Sequence, residues 1–147
     1  MFGSIVVGTD GSDTAKKAVA EAADLAKRVG ASLHLVSAYT PIPESRLRQE
    51  RKDVPDDYQW MINPREEVDS VLEEAAGEIR SGGVEVDIHA VEADPADAIL
   101  DVAEQQGADL IIVGNKGMTG AKRFMLGSVP NKVSHHATSS VMIVRTA

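Results

Sequence analysis

Along the chain, short unbroken apolar runs alternate with longer stretches in which apolar residues recur every three or four positions. Residues 4–9 (SIVVGT) form the first run. Ala15, Ala18, Val19, Ala22, Leu25, Ala26 and Val29 then recur at helical spacing until Gly30, a residue suited to end a helix. Residues 31–38 (ASLHLVSA) predict a second strand. Strand, helix and strand in so few residues predict a right-handed crossover joining a parallel pair. Pro64 opens a second helix with Val68, Val71, Leu72, Ala75, Ala76 and Ile79 on one face, closed by Gly82-Gly83. Residues 84–91 alternate apolar with polar, as an edge strand with one solvated side does. Asp94-Pro95 opens a third helix, with Ile99, Val102 and Ala103 inward, that stops at Gly107. Residues 110–113 (LIIV) predict a buried parallel strand. Ser128-Val129-Pro130 predicts the first turn of a fourth helix, with Ser128 as its cap and Pro130 where a missing N–H costs nothing. Residues 141–144 (VMIV) predict the last strand.

Five strands alternating with four helices define an α/β domain: a single doubly wound five-stranded parallel sheet over residues 1–147, in the order 3-2-1-4-5, with helices on both faces. Its switch point falls between the first and fourth strands. Thr9-Asp10 and Gly114–Gly117, far apart in sequence, then face each other across one crevice, where such sheets bind ligands. Residues 40–63 break the pattern with Pro41, Pro43, Pro55 and dense mixed charge, and read either as a flap over the site or as a mobile excursion. Tyr58 and Trp60 fit docking of this segment or its anchoring, and Tyr39 fits stacking on a base or packing beneath the segment.

Composition narrows the classes. At 147 residues with 43% hydrophobic and 26% charged residues, the chain fits one globular domain. No apolar run approaches the roughly 20 residues of a membrane span, and the N-terminus has no signal-peptide pattern. Cysteine is absent, which excludes disulfides, thiolate metal sites and a cysteine nucleophile. These features fit a cytoplasmic protein without a membrane partner. The net charge of −8 argues against a nucleic-acid partner.

The charge is unevenly placed. Residues 110–147 contain no Asp or Glu, whereas Lys116, Lys122, Arg123, Lys132 and Arg145 give +5, leaving −13 on residues 1–109. Three of those five cations lie among Gly114, Gly117, Gly120 and Gly127, between the fourth strand and the fourth helix. Glycines let backbone N–H groups turn toward an anion, and the helix start adds its positive end. This favours a phosphate ligand over a chance glycine-rich connection. The stretch lacks the Lys-Ser or Lys-Thr of the common phosphate loop, and no GxGxxG opens a helix.

Gly114, Gly117, Gly127 and Ser128 follow G-x2-G-x9-G-S, a spacing that resembles the ATP-binding signature of the universal stress protein family. Residues 5–12 (IVVGTDGS) and 140–145 (SVMIVR) extend the resemblance over nearly the whole chain. It implies an adenine-nucleotide-binding protein with a role in stress response or signalling. Gly8, Thr9 and Asp10 would approach ribose and phosphates, and Ala38 the adenine edge. Gly114, Asn115, Gly117, Gly127, Ser128 and Val129 would form the cradle. Asp10 would hold Mg or Mn beside a polyphosphate, although its alternative reading, shared with Ser12, is a helix cap. Gly8 stands where many relatives carry proline, Asn115 where Ser or Thr is frequent, and Pro130 where a hydroxyl residue is often found. The resemblance therefore implies ATP, AMP or cyclic AMP as the ligand.

Other constellations carry less. His135-His136 diverge on one helix, and His34 and His89, on separate strands, read as surface or edge residues. No catalytic constellation emerges. The alternatives are a weak ATP hydrolase and a dimeric interaction module with a degenerate site. The final strand, apolar on both faces, lies at a sheet edge without protecting proline or charge, which predicts a homodimer through residues 140–145.

Overall fold

A computed structural model describes residues 2–39, 64–115 and 126–146. The described elements are β1 (Ser4–Gly8), α1 (Asp13–Val29), β2 (Ser32–Tyr39), α2 (Pro64–Ser81), β3 (Val86–Glu92), α3 (Pro95–Gln105), β4 (Leu110–Gly114), α4 (Ser128–His136) and β5 (Ser140–Val144). The strands form one parallel sheet in the order β3-β2-β1-β4-β5, as the alternating pattern predicts. β1 is central: Ile5 pairs with Leu33 of β2 on one side and with Leu110 of β4 on the other.

Alternate residues of the inner strands feed two cores. Ile5, Val7, Leu33, Leu35 and Ile112 pack under α1 and α2, against Ala18, Ala22, Leu72 and Ala76. Val6, Val36, Ile111 and Val113 pack on the other face under α3 and α4, against Ala98, Ile99, Val102 and Val133. Both faces being covered explains why these strands read as continuous apolar runs. Alanine on α1 lets its axis lie close to the sheet. Full burial of a side chain such as Leu72 contributes roughly 1.5–3 kcal/mol.

The helix ends follow their sequence signals with one exception. The Ser12 hydroxyl accepts from Ala15 N at 3.2 Å and caps α1, which ends at Gly30 in the left-handed conformation at φ 73°. Asp94 caps α3 by accepting from Asp97 N at 3.3 Å, with Pro95 as the first helical residue. At α4 the cap is Gly127, with extended backbone, and Ser128 already belongs to the helix. Ser128 has helical backbone geometry, so its hydroxyl is not at the cap position. Val29, at the end of the apolar stripe of α1, is 43% exposed.

Of the two strand histidines, His89 lies on the edge strand as expected, whereas His34 of β2 departs from the sequence expectation. His34 is buried, not a surface residue. His34 pairs with Asp87 in register while Val36 pairs with His89, so both rings lie on one face and meet diagonally, Nδ1 of His34 standing 3.1 Å from Nε2 of His89. The hydrogen bond between them satisfies polar atoms that the strand would otherwise bury unpaired.

Candidate nucleotide site

At the carboxyl end of β1 the backbone must leave the sheet and enter α1 within a few residues. Thr9 N donates to Val36 O at 2.9 Å, which continues the sheet by one residue. Gly11 then takes a left-handed conformation at φ 81°. Thr9 Oγ1 accepts from Gly11 N at 3.1 Å, and Asp10 Oδ1 accepts from Ser12 N at 2.9 Å. These two local bonds hold the turn and fix the Asp10 carboxylate at its rim.

This turn borders a cleft enclosing about 720 Å³ of space, part of it open to solvent. Gly8, Thr9 and Asp10 line it from β1, Ala38 from β2, Gly114 from β4 and Val129 from α4. The cleft therefore opens at the switch point between β1 and β4. Gly127 and Ser128 begin the helix whose next residue, Val129, lines the cleft. With glycine as cap, no side chain among the described residues caps that first turn, and uncapped helix-start amides of this kind suit an anion. Asn115 is placed differently from the cleft-lining residues: it is buried, and its Oδ1 accepts from Thr146 N at 3.0 Å and from Thr146 Oγ1 at 2.8 Å. Gly117, Gly120, Lys116, Lys122 and Arg123, with Tyr58 and Trp60, lie outside the described residues.

Sequence reasoning missed part of the wall. Ser37, Pro95, Ile99 and Thr146 also line the cleft. Pro95 and Ile99 had a signal, since α3 follows β3 at the same end of the sheet. Thr146 had none, because its place depends on a contact with Asn115 across 31 positions. Tyr39 does not line the cleft; its hydroxyl accepts from Arg65 Nη1 at 2.9 Å, and the guanidinium lies 5.3 Å from the ring centre.

Electrostatics hold the α3 side of the cleft in place. Lys132 of α4 reaches Asp94 Oδ2 at 3.3 Å and Asp97 Oδ1 at 2.9 Å, joining α4 to the first turn of α3. The Asp97 backbone N–H, followed by Lys132, holds the Asp94 carboxyl below its ordinary range. Because the groups are exposed, the contact sets geometry more than stability. Among the described residues, no group of three or more His, Cys, Asp and Glu gathers as a metal site. No helix among them is long and apolar enough to cross a membrane.

An open parallel sheet with a cleft at its switch point, flanked by the starts of two helices, is the architecture of nucleotide-binding α/β proteins. The model of the universal stress protein family matches residues 1–145, so the chain belongs to that family. It is 34% identical over 146 residues to a universal stress protein of Mycobacterium tuberculosis, spanning 99% of this chain and 97% of that one. It is also 34% identical over 158 residues to the universal stress protein YxiE of Bacillus subtilis, spanning 99% and 100%. Among solved structures, a universal stress protein in complex with cAMP is similar at 30% identity and a TM-score of 0.73, covering 99% of this chain and 98% of its own. The universal stress protein of Archaeoglobus fulgidus in complex with dAMP is similar at 26% identity and a TM-score of 0.66, with 97% of both chains covered.

Proposed function

We propose that this chain binds an adenine nucleotide in the β1–β4 cleft and serves a stress-response or signalling role as a homodimer. The observation that carries the reading is the convergence of Thr9, Asp10, Ala38, Gly114 and Val129 on one cleft at the switch point. Val36, Ala38, Ile99 and Val113 give an apolar surface suited to a purine. Thr9 and Asp10 offer oxygen atoms to ribose hydroxyls. The uncapped start of α4 and the acid-free segment 110–147 suit phosphate. Similar proteins solved with cAMP and dAMP support the ligand class. If a polyphosphate is bound, Asp10 is the carboxylate among the described cleft-lining residues that a divalent ion would meet.

Calorimetric titration of the purified chain with cyclic AMP, AMP and ATP, the last with and without magnesium, tests the reading. Saturable binding of at least one, weakened by Gly127→Val, is expected, because a side chain there occupies the anion position. No binding of any of the three would overturn it. The proposed role is binding, without efficient turnover. Steady phosphate release from ATP at several turnovers per second by contaminant-free protein would replace it with the hydrolase reading.

A further inference from the structure

We propose that Thr146, in the segment that leaves β5, forms part of the nucleotide-contacting wall, and that Asn115 and Lys17 hold it there as positioning residues. The inference rests on the adenine-nucleotide reading of the cleft. Thr146 is only 3% exposed and lines the cleft. All three of its hydrogen-bonding groups are engaged by other elements: its N–H and hydroxyl donate to Asn115 Oδ1, and its carbonyl accepts from Lys17 Nζ at 3.2 Å. Asn115 N in turn donates to Val144 O at 3.1 Å, so the end of β4 and the segment leaving β5 are joined on both sides of the latch.

The latch faces the cleft from beside Gly114. A Cβ built on Gly114 would lie 3.2 Å from Cγ2 of Thr146. The Thr146 methyl thus covers the surface that a side chain on Gly114 would occupy, and glycine there is what lets residue 146 close in. A buried side-chain amide holding both donors of one residue fixes position tightly, since leaving either donor unpaired is costly. This gives Asn115 a role that its place in the glycine stretch concealed: it acts on the ligand through Thr146.

Two substitutions separate the wall from the latch. Thr146→Ser keeps the hydroxyl bond to Asn115 and removes the methyl. Thr146→Val keeps the bulk and removes the hydroxyl bond. Cyclic AMP and AMP affinities are measured by calorimetry at a temperature where every variant is folded, alongside the melting temperature of each without ligand. Thr146→Ser is expected to weaken binding about tenfold, the lower end of the range for one group of that size in an apolar pocket, with little change in melting temperature. Thr146→Val is expected to lower the melting temperature and, because the backbone N–H bond to Asn115 and the methyl remain, to weaken binding less than Thr146→Ser does. Asn115→Ala should reduce both. Affinity that follows melting temperature across the three variants, or that none of them changes, would overturn the inference while leaving the nucleotide reading intact. Absence of binding by the unmodified chain would overturn both.

Discussion

A Cβ built on Gly8 would lie 2.5 Å from Cδ1 and 3.0 Å from Cγ1 of Ile99. β1 therefore ends in glycine because α3 lays Ile99 directly over it, and both residues line the cleft. Turning the terminal methyl alone does not clear the second contact, so a side chain at residue 8 requires the Ile99 side chain to shift about χ1 as well. Gly8→Ala is expected to destabilise the fold by about 1–2 kcal/mol through overpacking. Ile99→Val in the same chain should recover part of that loss. Urea denaturation of the single and double variants measures the coupling, and strictly additive losses would show that the two residues do not compete for this space.

The first turn of α1 gives a second prediction. Ser12 Oγ accepts from Ala15 N, and the neighbouring Asp10 carboxylate accepts from Ser12 N. Ser12→Ala should cost about 1 kcal/mol, the usual loss for a helix cap. Ser12→Asp, which restores an acceptor at the helix N-terminus, should recover most of it. Equal denaturation midpoints for all three chains would remove the capping role.

Much of this was legible in sequence because it rests on local rules. Alanine periodicity in α1, the Asp94-Pro95 start of α3 and the alternation along β3 each follow from contacts within an element or with one sheet face. The crevice between Thr9 and Gly114 followed from topology, which the alternation of strands and helices defines. The Asn115–Thr146 latch and the His34–His89 pair did not follow, because each depends on register between segments remote in the chain. Ser128 was misplaced by one residue for a different reason. Glycine and serine are both good cap residues, and only the backbone angles distinguish which one lies outside the helix.

His89 is expected to make stability depend on pH. Burial, then the neighbouring His34, pushes the His89 imidazole below its ordinary value of 6.5, with Asp87 opposing them. The unfolded chain therefore takes up a proton at a higher pH than the folded one. The associated stability is complete above about pH 6.5 and is lost as pH falls from there toward the depressed folded value. Asp94 and Asp109 act in a separate, lower window. Hydrogen bonds from the backbone of Asp97 and of Gly3 hold their carboxyls below 3.8, so their contribution is lost only as pH falls below that value. Denaturation midpoints should thus fall between pH 7.5 and 5.5, and His89→Gln should flatten this step while leaving the acid loss below pH 4. A wild-type midpoint constant from pH 7.5 to 5.5 would contradict the assignment.

The proposed homodimer follows from the outer edge of β5. β5 pairs with β4 from Ser140 opposite Leu110 to Val144 opposite Gly114. Among the described residues, no strand pairs with its other side. Val141, Ile143 and Val144 are partly buried against the cores, whereas Met142 is 39% exposed. The edge carries no proline, and Arg145 follows the strand instead of interrupting it. Such an edge accepts another strand, and a two-fold axis lets the same strand of a second copy pair with it. Met142 is the most informative position, since a charged residue there changes an exposed side chain and leaves the monomer core intact. Met142→Lys should convert a dimer to a monomer in light scattering with little loss of secondary structure. Val144→Pro, which distorts the edge and removes a backbone N–H, should do the same at a greater cost in stability. An unmodified chain that is monomeric at micromolar concentration, or a Met142→Lys chain that stays dimeric, would place any interface elsewhere.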